Sequence, residues 1–109
     1  MRFGEEIRRL RRSKGMSLRE LAADVGVGFT YLSKIENNKL DFADWPSENL
    51  IERLADALGM PCDELMLLAE RIPSGVRNRI LQRPAFFLAL SRLDGEELDA
   101  LERDLVNAR

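Results

Sequence analysis

Ser17 to Glu36 carries two apolar stripes of helical period with a short glycine-containing break between them, and this arrangement constrains the fold more than any other feature of the chain. Ser17 and Glu20 make the S-x-x-E pattern in which a hydroxyl and a carboxylate satisfy the free N–H groups that open a helix. Leu18, Leu21, Ala22 and Val25 then recur on one helical face. Gly26 supplies a residue that turns without strain. A second helix is expected from about Gly28 to Glu36, with Leu32 and Ile35 inward and Thr30, Ser33 and Lys34 interleaved among the apolar positions. Such a helix has one face for a core and another, of mixed chemistry, for something else.

The flanking sequence supplies partners for these stripes. Phe3, Ile7 and Leu10 fall at i, i+4 and i+7 and predict a first helix over about 3–14, closed at Gly15. After a loop from Asn37 to Trp45, Pro46-Ser47 opens a fourth helix that buries Leu50, Ile51, Leu54, Ala55 and Leu58, with Gly59 as its stop. Pro61 precedes a fifth helix, about 63–70, contributing Leu65 and Leu68. Phe42 and Trp45 are expected to pack over the fourth helix as part of a structural loop at 40–46. The run Arg71-Ile72-Pro73-Ser74-Gly75 breaks the pattern and divides a 1–70 domain from a 71–109 extension. The extension reads as a helix near 75–82, a restart at Pro84, the apolar run 86–90, and a last helix opened by a second capping box at Asp94 and Glu97. So short a segment cannot build a core alone. Phe86, Phe87, Leu90, Leu98, Leu101 and Leu105 are therefore expected to meet a second copy in a symmetric homodimer.

Composition excludes most chemistry. The chain has no histidine and a single cysteine, Cys62, so neither a common zinc set nor a Ser-His-Asp or Cys-His centre can form within it. No Gly-rich phosphate loop is present. No catalytic residue, metal or cofactor is expected, and the protein is read as a non-enzyme. No apolar run approaches the roughly 20 residues of a membrane span, and the first residues lack the pattern of a signal peptide. With one cysteine this suits a reducing cytoplasm. The net charge of −2 hides blocks: residues 1–39 carry nine Lys/Arg against five acids, 40–70 one Arg against eight acids, 71–92 five Arg and no acid, and 93–109 two Arg against six acids. The first block keeps the basic footprint that nucleic-acid binding needs, while the low overall pI argues against indiscriminate binding. Arg77, Arg79 and Arg83 are read as intersubunit partners of the acidic 40–70 block or the last helix.

The motifs I-R-R-L-R-R-S-K-G-M-S-L-R-E-L-A (7–22), V-G-V (25–27), Y-L-S-K-I-E-N-N-K (31–39) and L-A-D-A-L-G-M (54–60) resemble the phage Cro/repressor, or XRE, family of helix-turn-helix regulators. The resemblance covers residues 3–70, about two thirds of the chain. It implies an all-α fold: a five-helix, lambda-repressor-like helix-turn-helix domain, here with a helical dimerisation extension. It further implies that the third helix lies in the major groove, with Gly28, Phe29, Thr30, Ser33 and Lys34 toward the bases. Ser17 matches the position where the family holds a phosphate at the start of the second helix, with Arg19 beside it, and Leu18 stands where many relatives have Gln. Asn37 and Lys39 match the loop that touches the DNA backbone. Asn38 replaces a common Gly and tolerates the same left-handed conformation. Arg11 and Glu36 match a buried ion pair that ties the first helix to the end of the third.

The function that follows is a sequence-specific, dimeric transcriptional regulator, most simply a repressor on an inverted-repeat operator of double-stranded DNA. Two other readings are an antitoxin that neutralises a toxin through 71–109 while regulating its own operon, and an adaptor that has lost DNA binding. Lys34 and Lys39 argue against the adaptor. The run R-I-P-x-x-V-R-x-x-I-L-x-x-P also resembles repressors encoded beside ImmA/IrrE-type metallopeptidases, which raises a metallopeptidase or a toxin encoded nearby as a further partner.

Overall fold

The computed structural model describes residues 2–108, the side chains of Arg2 and Phe42 excepted. Its regular elements are all helical: α1 (Arg2–Ser13), α2 (Leu18–Val25), α3 (Phe29–Glu36), a 3₁₀ turn (Phe42–Asp44), α4 (Glu48–Leu58), α5 (Cys62–Leu68), α6 (Ser74–Gln82), α7 (Pro84–Ser91) and α8 (Gly95–Asn107). None of them is long and apolar enough to cross a membrane.

The boundaries follow the local signals. Ser17 caps α2: its Oγ accepts from the Glu20 N–H while the Glu20 carboxylate accepts from the Ser17 N–H, both at 3.0 Å. Gly26 closes α2 at φ 74°, a left-handed conformation that a side chain would strain. Ser47 caps α4, and the Asp94–Glu97 box opens α8. Asn38 takes φ 56°, the left-handed conformation expected of it.

The chain divides into two compact units, 1–73 and 74–109. In the first, Phe3 and Ile7 of α1, Leu21, Ala22 and Val25 of α2, Leu32 and Ile35 of α3, the five apolar residues of α4, and Leu65, Met66 and Ala69 around α5 form one core. Met66 and Ala69 extend the expected α5 contribution, while Leu10, Leu18 and Leu68 are only partly buried. Gly4 permits the close approach of α1 to the end of α3. A Cβ placed there would stand 2.3 Å from the Ile35 carbonyl oxygen.

The domain boundary falls three residues later than the sequence pattern places it. Arg71 Nε donates to the Pro46 carbonyl at 3.0 Å, and Pro73 is buried, so 71–73 is the final stretch of the first unit. In the 40–46 loop, Trp45 meets the Phe3 ring at 6.3 Å between centroids and donates its indole N–H to the Ala69 carbonyl, which ties the loop to α1 and to the end of α5. The expected packing of Phe42 lies outside the described side chains.

In the second unit no described residue is buried. Phe86 and Phe87 meet edge to face at 5.5 Å. Phe86, Leu88, Leu98, Leu101 and Leu105 are exposed, and Phe87 and Leu90 are half-buried.

Candidate nucleic-acid interface

The geometry of α3 separates two faces along one short helix. Leu32 and Ile35 are buried, whereas Gly28, Phe29, Thr30 and Lys34 are exposed and Ser33 is half-exposed. Gly28 occupies the N-cap position with no side-chain bond, so the first turn of α3 opens directly outward. Thr30, Lys34 and Lys39 make no side-chain hydrogen bond or ion pair among the described residues, and their polar groups face solvent.

The base of this face is fixed from below. Among the described residues Glu36 is the buried charged one, 3% exposed. Arg11 reaches it with two donors, Nε to Oε2 at 2.8 Å and Nη2 to Oε1 at 2.9 Å, and gives a third to the Met16 carbonyl at 2.9 Å. The hydrogen bonds to Glu36 raise the already high Arg11 pKa, partly opposed by desolvation, so the guanidinium stays charged. This fork-to-carboxylate geometry joins α1 to the last turn of α3 and leaves the buried carboxylate paired.

A second arginine extends the tie to the surface. Arg8, one turn before Arg11, places Nε 3.4 Å from Glu36 Oε1 and donates through Nη2 to Asn37 Oδ1. Asn37 Nδ2 in turn donates to the Ser33 carbonyl at 2.8 Å and lies 3.3 Å from Ser33 Oγ. Asn37 is thus committed to the protein itself, in a chain that runs from the buried Glu36 to the exposed side of α3. Arg8 was not singled out from the sequence; its offset of three residues from Arg11 was the available signal.

The start of α2 is arranged differently from a bare anion site. The Ser17 N–H already serves the Glu20 carboxylate. Backbone hydrogen bonding to Ser17, reinforced by the Ser17 side chain, holds the Glu20 carboxyl below the usual carboxylate value. An approaching phosphate therefore meets a carboxylate at this helix end. Beside it, Arg19 stands over the Phe29 ring, Cζ 4.5 Å from the centroid.

Three further residues fix the surroundings. Tyr31, half-buried on α3, donates to the Asp44 carbonyl at 2.6 Å and holds the 40–46 loop; burial, then the nearby Asp44 charge, pushes its phenol pKa up. Arg53, the lone base of the acidic block, donates to the Val25 carbonyl at 2.6 Å and so satisfies the C-terminal end of α2. Gly4 completes the set. None of the three is marked by periodicity, because each acts across a contact between elements distant in sequence.

Comparison with known proteins agrees with this architecture. The family profile described as Helix-turn-helix matches residues 7–65, more than half the chain. Two curated Bacillus subtilis (strain 168) proteins are similar: the HTH-type transcriptional regulator RghRB, 36% identical over 70 residues, covering 64% of this chain and 48% of that protein, and the HTH-type transcriptional repressor RghR, 37% identical over 67 residues, covering 62% and 47%. The chain spans about half the length of these relatives. Among solved structures, the biofilm master regulator SinR in complex with DNA is 36% identical with a TM-score of 0.52, covering 59% of this chain and 97% of that one. The clp gene regulator ClgR from Corynebacterium glutamicum is 27% identical with a TM-score of 0.52, covering 83% and 89%. A SinR protein/SinI protein complex is 26% identical with a TM-score of 0.55, covering 98% and 99%. By the profile match over residues 7–65 and the two-faced α3 mounted on a shared core, the chain belongs to the helix-turn-helix family, in its XRE type.

Proposed function

We propose that the protein is a sequence-specific regulator of transcription that binds double-stranded DNA, with α3 in the major groove, and that it acts as a dimeric repressor in the cytoplasm. The observation that carries this reading is the outward set Phe29, Thr30 and Lys34 on a helix whose other face is locked into the core, in a chain 36% identical to a SinR solved with DNA. Thr30 can donate, accept or offer a methyl group, and Lys34 can bond guanine acceptors. Lys39, just beyond α3, supplies a flanking contact to phosphate, and Ser17 and Arg19 at α2 belong to the same DNA-facing surface. Ser33 and Asn37 act chiefly by holding α3 in place, through their bonds to each other and to Arg8. The names of the relatives, regulators and a repressor, support this reading over the antitoxin one.

The 74–109 unit is proposed as the dimerisation segment. Its exposed Phe86, Leu98, Leu101 and Leu105, with Phe87 and Leu90, lack a core of their own, and its basic α6–α7 complements its acidic α8. Likeness to the SinR/SinI complex across 98% of the chain supports a protein-binding role for this unit. A dimer presents two copies of α3, which suits an inverted-repeat operator. Titration of a selected operator with the full chain, alongside sedimentation at the same concentrations, tests both parts. A dimer that binds one inverted repeat well above random duplex is the expected outcome; equal affinity for operator and random DNA contradicts it.

A further inference from the structure

The helix-turn-helix places a cation and an aromatic ring together at the opening of the exposed face. Arg19 is the second residue of α2 and Phe29 the first of α3. Their side chains lie on top of one another, with the guanidinium carbon 4.5 Å from the ring centre. Phe29 is 41% exposed, and Arg19 is exposed as well. No carboxylate among the described residues lies within ion-pair distance of Arg19. Apart from the residues adjoining it in the chain, nothing stands within 4 Å of where a Cβ on Gly28 would be, so this end of α3 is open to an approaching surface.

Two consequences follow from this pairing. Attraction between guanidinium and ring holds a rotamer-rich side chain near one position, so less freedom is lost when it binds. The N–H donors of Arg19 that do not face the ring remain free for a planar, two-acceptor partner. In the major groove that partner is guanine, through O6 and N7. The apolar rim of Phe29 matches the one apolar group exposed there, the C5 methyl of thymine. Successive bases along a strand are about 3.4 Å apart, and the guanidinium carbon and the ring centre are 4.5 Å apart, so the two groups can reach neighbouring base pairs.

Resting on the DNA-binding reading of α3, we propose that Arg19 and Phe29 form one composite reader of a thymine–guanine step, Arg19 bonding the guanine and Phe29 covering the methyl of the adjacent thymine. Glu20, next in the chain and engaged at the Ser17 N–H, disfavours a phosphate at this position and leaves Arg19 to the bases.

The test uses duplexes selected from a random pool by the full chain, then remade with single-atom changes. A thymine–guanine step should appear in the selected motif. Replacing its thymine by uracil, which removes only the methyl, should weaken binding to the parent protein but not to Phe29→Ala. Replacing its guanine by 7-deazaguanine should weaken binding to the parent by about fivefold or more, but not to Arg19→Ala. Arg19→Lys, which keeps the charge but not the planar fork held on the ring, should reduce the guanine preference while keeping the salt dependence of binding, which separates a base contact from a phosphate contact. Thermal unfolding of each variant, with Phe29→Leu as a milder change, guards against loss of fold. A parent protein that selects a clear motif, yet binds the uracil and deazaguanine duplexes as tightly as the original, overturns the composite reader and leaves the DNA-binding reading standing. A parent that selects no motif overturns both.

Discussion

At the scale of single residues, Glu36 and Gly4 decide how α3 is held. Glu36→Ala leaves the Arg11 guanidinium without its carboxylate in a site where Arg11 is only 12% exposed. Loss of about 3–5 kcal/mol is expected, as for breaking a buried pair. Chemical denaturation checks this, and a variant as stable as the parent would show that the pair contributes little. Gly4→Ala sets a methyl 2.3 Å from the Ile35 carbonyl oxygen and must push α1 away from α3. About 1–3 kcal/mol of destabilisation is expected, whereas the same change at Gly75, which has open space around it, should leave stability nearly unchanged. The ion pair was legible in the sequence because Arg11 and Glu36 sit inside motifs shared with a known family. Gly4 was not, because the need for glycine arises only where two helices touch.

At the scale of elements, the helices were legible wherever a stripe and a cap coincide. Ser17 with Glu20, Gly26, Ser47 and Gly59 mark ends that the structure places within a residue or two of the expected positions. What tied the elements together was less legible. The bonds Arg53–Val25, Tyr31–Asp44 and Trp45–Ala69 join positions 13 to 28 residues apart and leave no periodic trace. The capping box of α2 also yields a pH prediction. The Glu20 carboxyl titrates below its usual value because its charged form accepts the Ser17 N–H. Its contribution is therefore complete above the unfolded value and lost as pH falls through the lower folded one. Glu20→Gln keeps a hydrogen-bonding group at this position without the charge. The variant should lose less stability on acidification than the parent, and should bind DNA more tightly at neutral pH, since a carboxylate no longer faces phosphate. Thermal melts between neutral and acidic pH, with operator titration, check both; identical acid sensitivity would show that the Glu20 charge does not stabilise α2.

At the scale of the whole molecule, the two units predict a separable architecture. Cutting after Pro73, rather than at the compositional break near Glu70, keeps the Arg71–Pro46 bond and the buried Pro73 with the domain they complete. The 1–73 fragment should fold with a cooperative transition and sediment as a monomer, since the exposed apolar residues of α7 and α8 are gone. It should also bind an inverted repeat far more weakly than the full chain, because the second half-site loses its tethered partner. A fragment that still dimerises and keeps full operator affinity would move the 74–109 unit to another role. Arg71-Ile72-Pro73 reads as a break by composition alone, while the partner of the Arg71 side chain, the Pro46 carbonyl, lies 25 residues earlier and leaves no local trace. The central claim, that α3 reads DNA sequence, is tested most directly by sequencing duplexes selected from one random pool by the parent, Thr30→Ala and Lys34→Ala. The parent should enrich a single inverted repeat. Each variant should unfold at nearly the parent temperature yet lose preference at particular positions of that repeat, at a cost of about 1–3 kcal/mol per lost base contact. Enrichment of the same motif with undiminished affinity by both variants, or no enrichment by the parent, would contradict it.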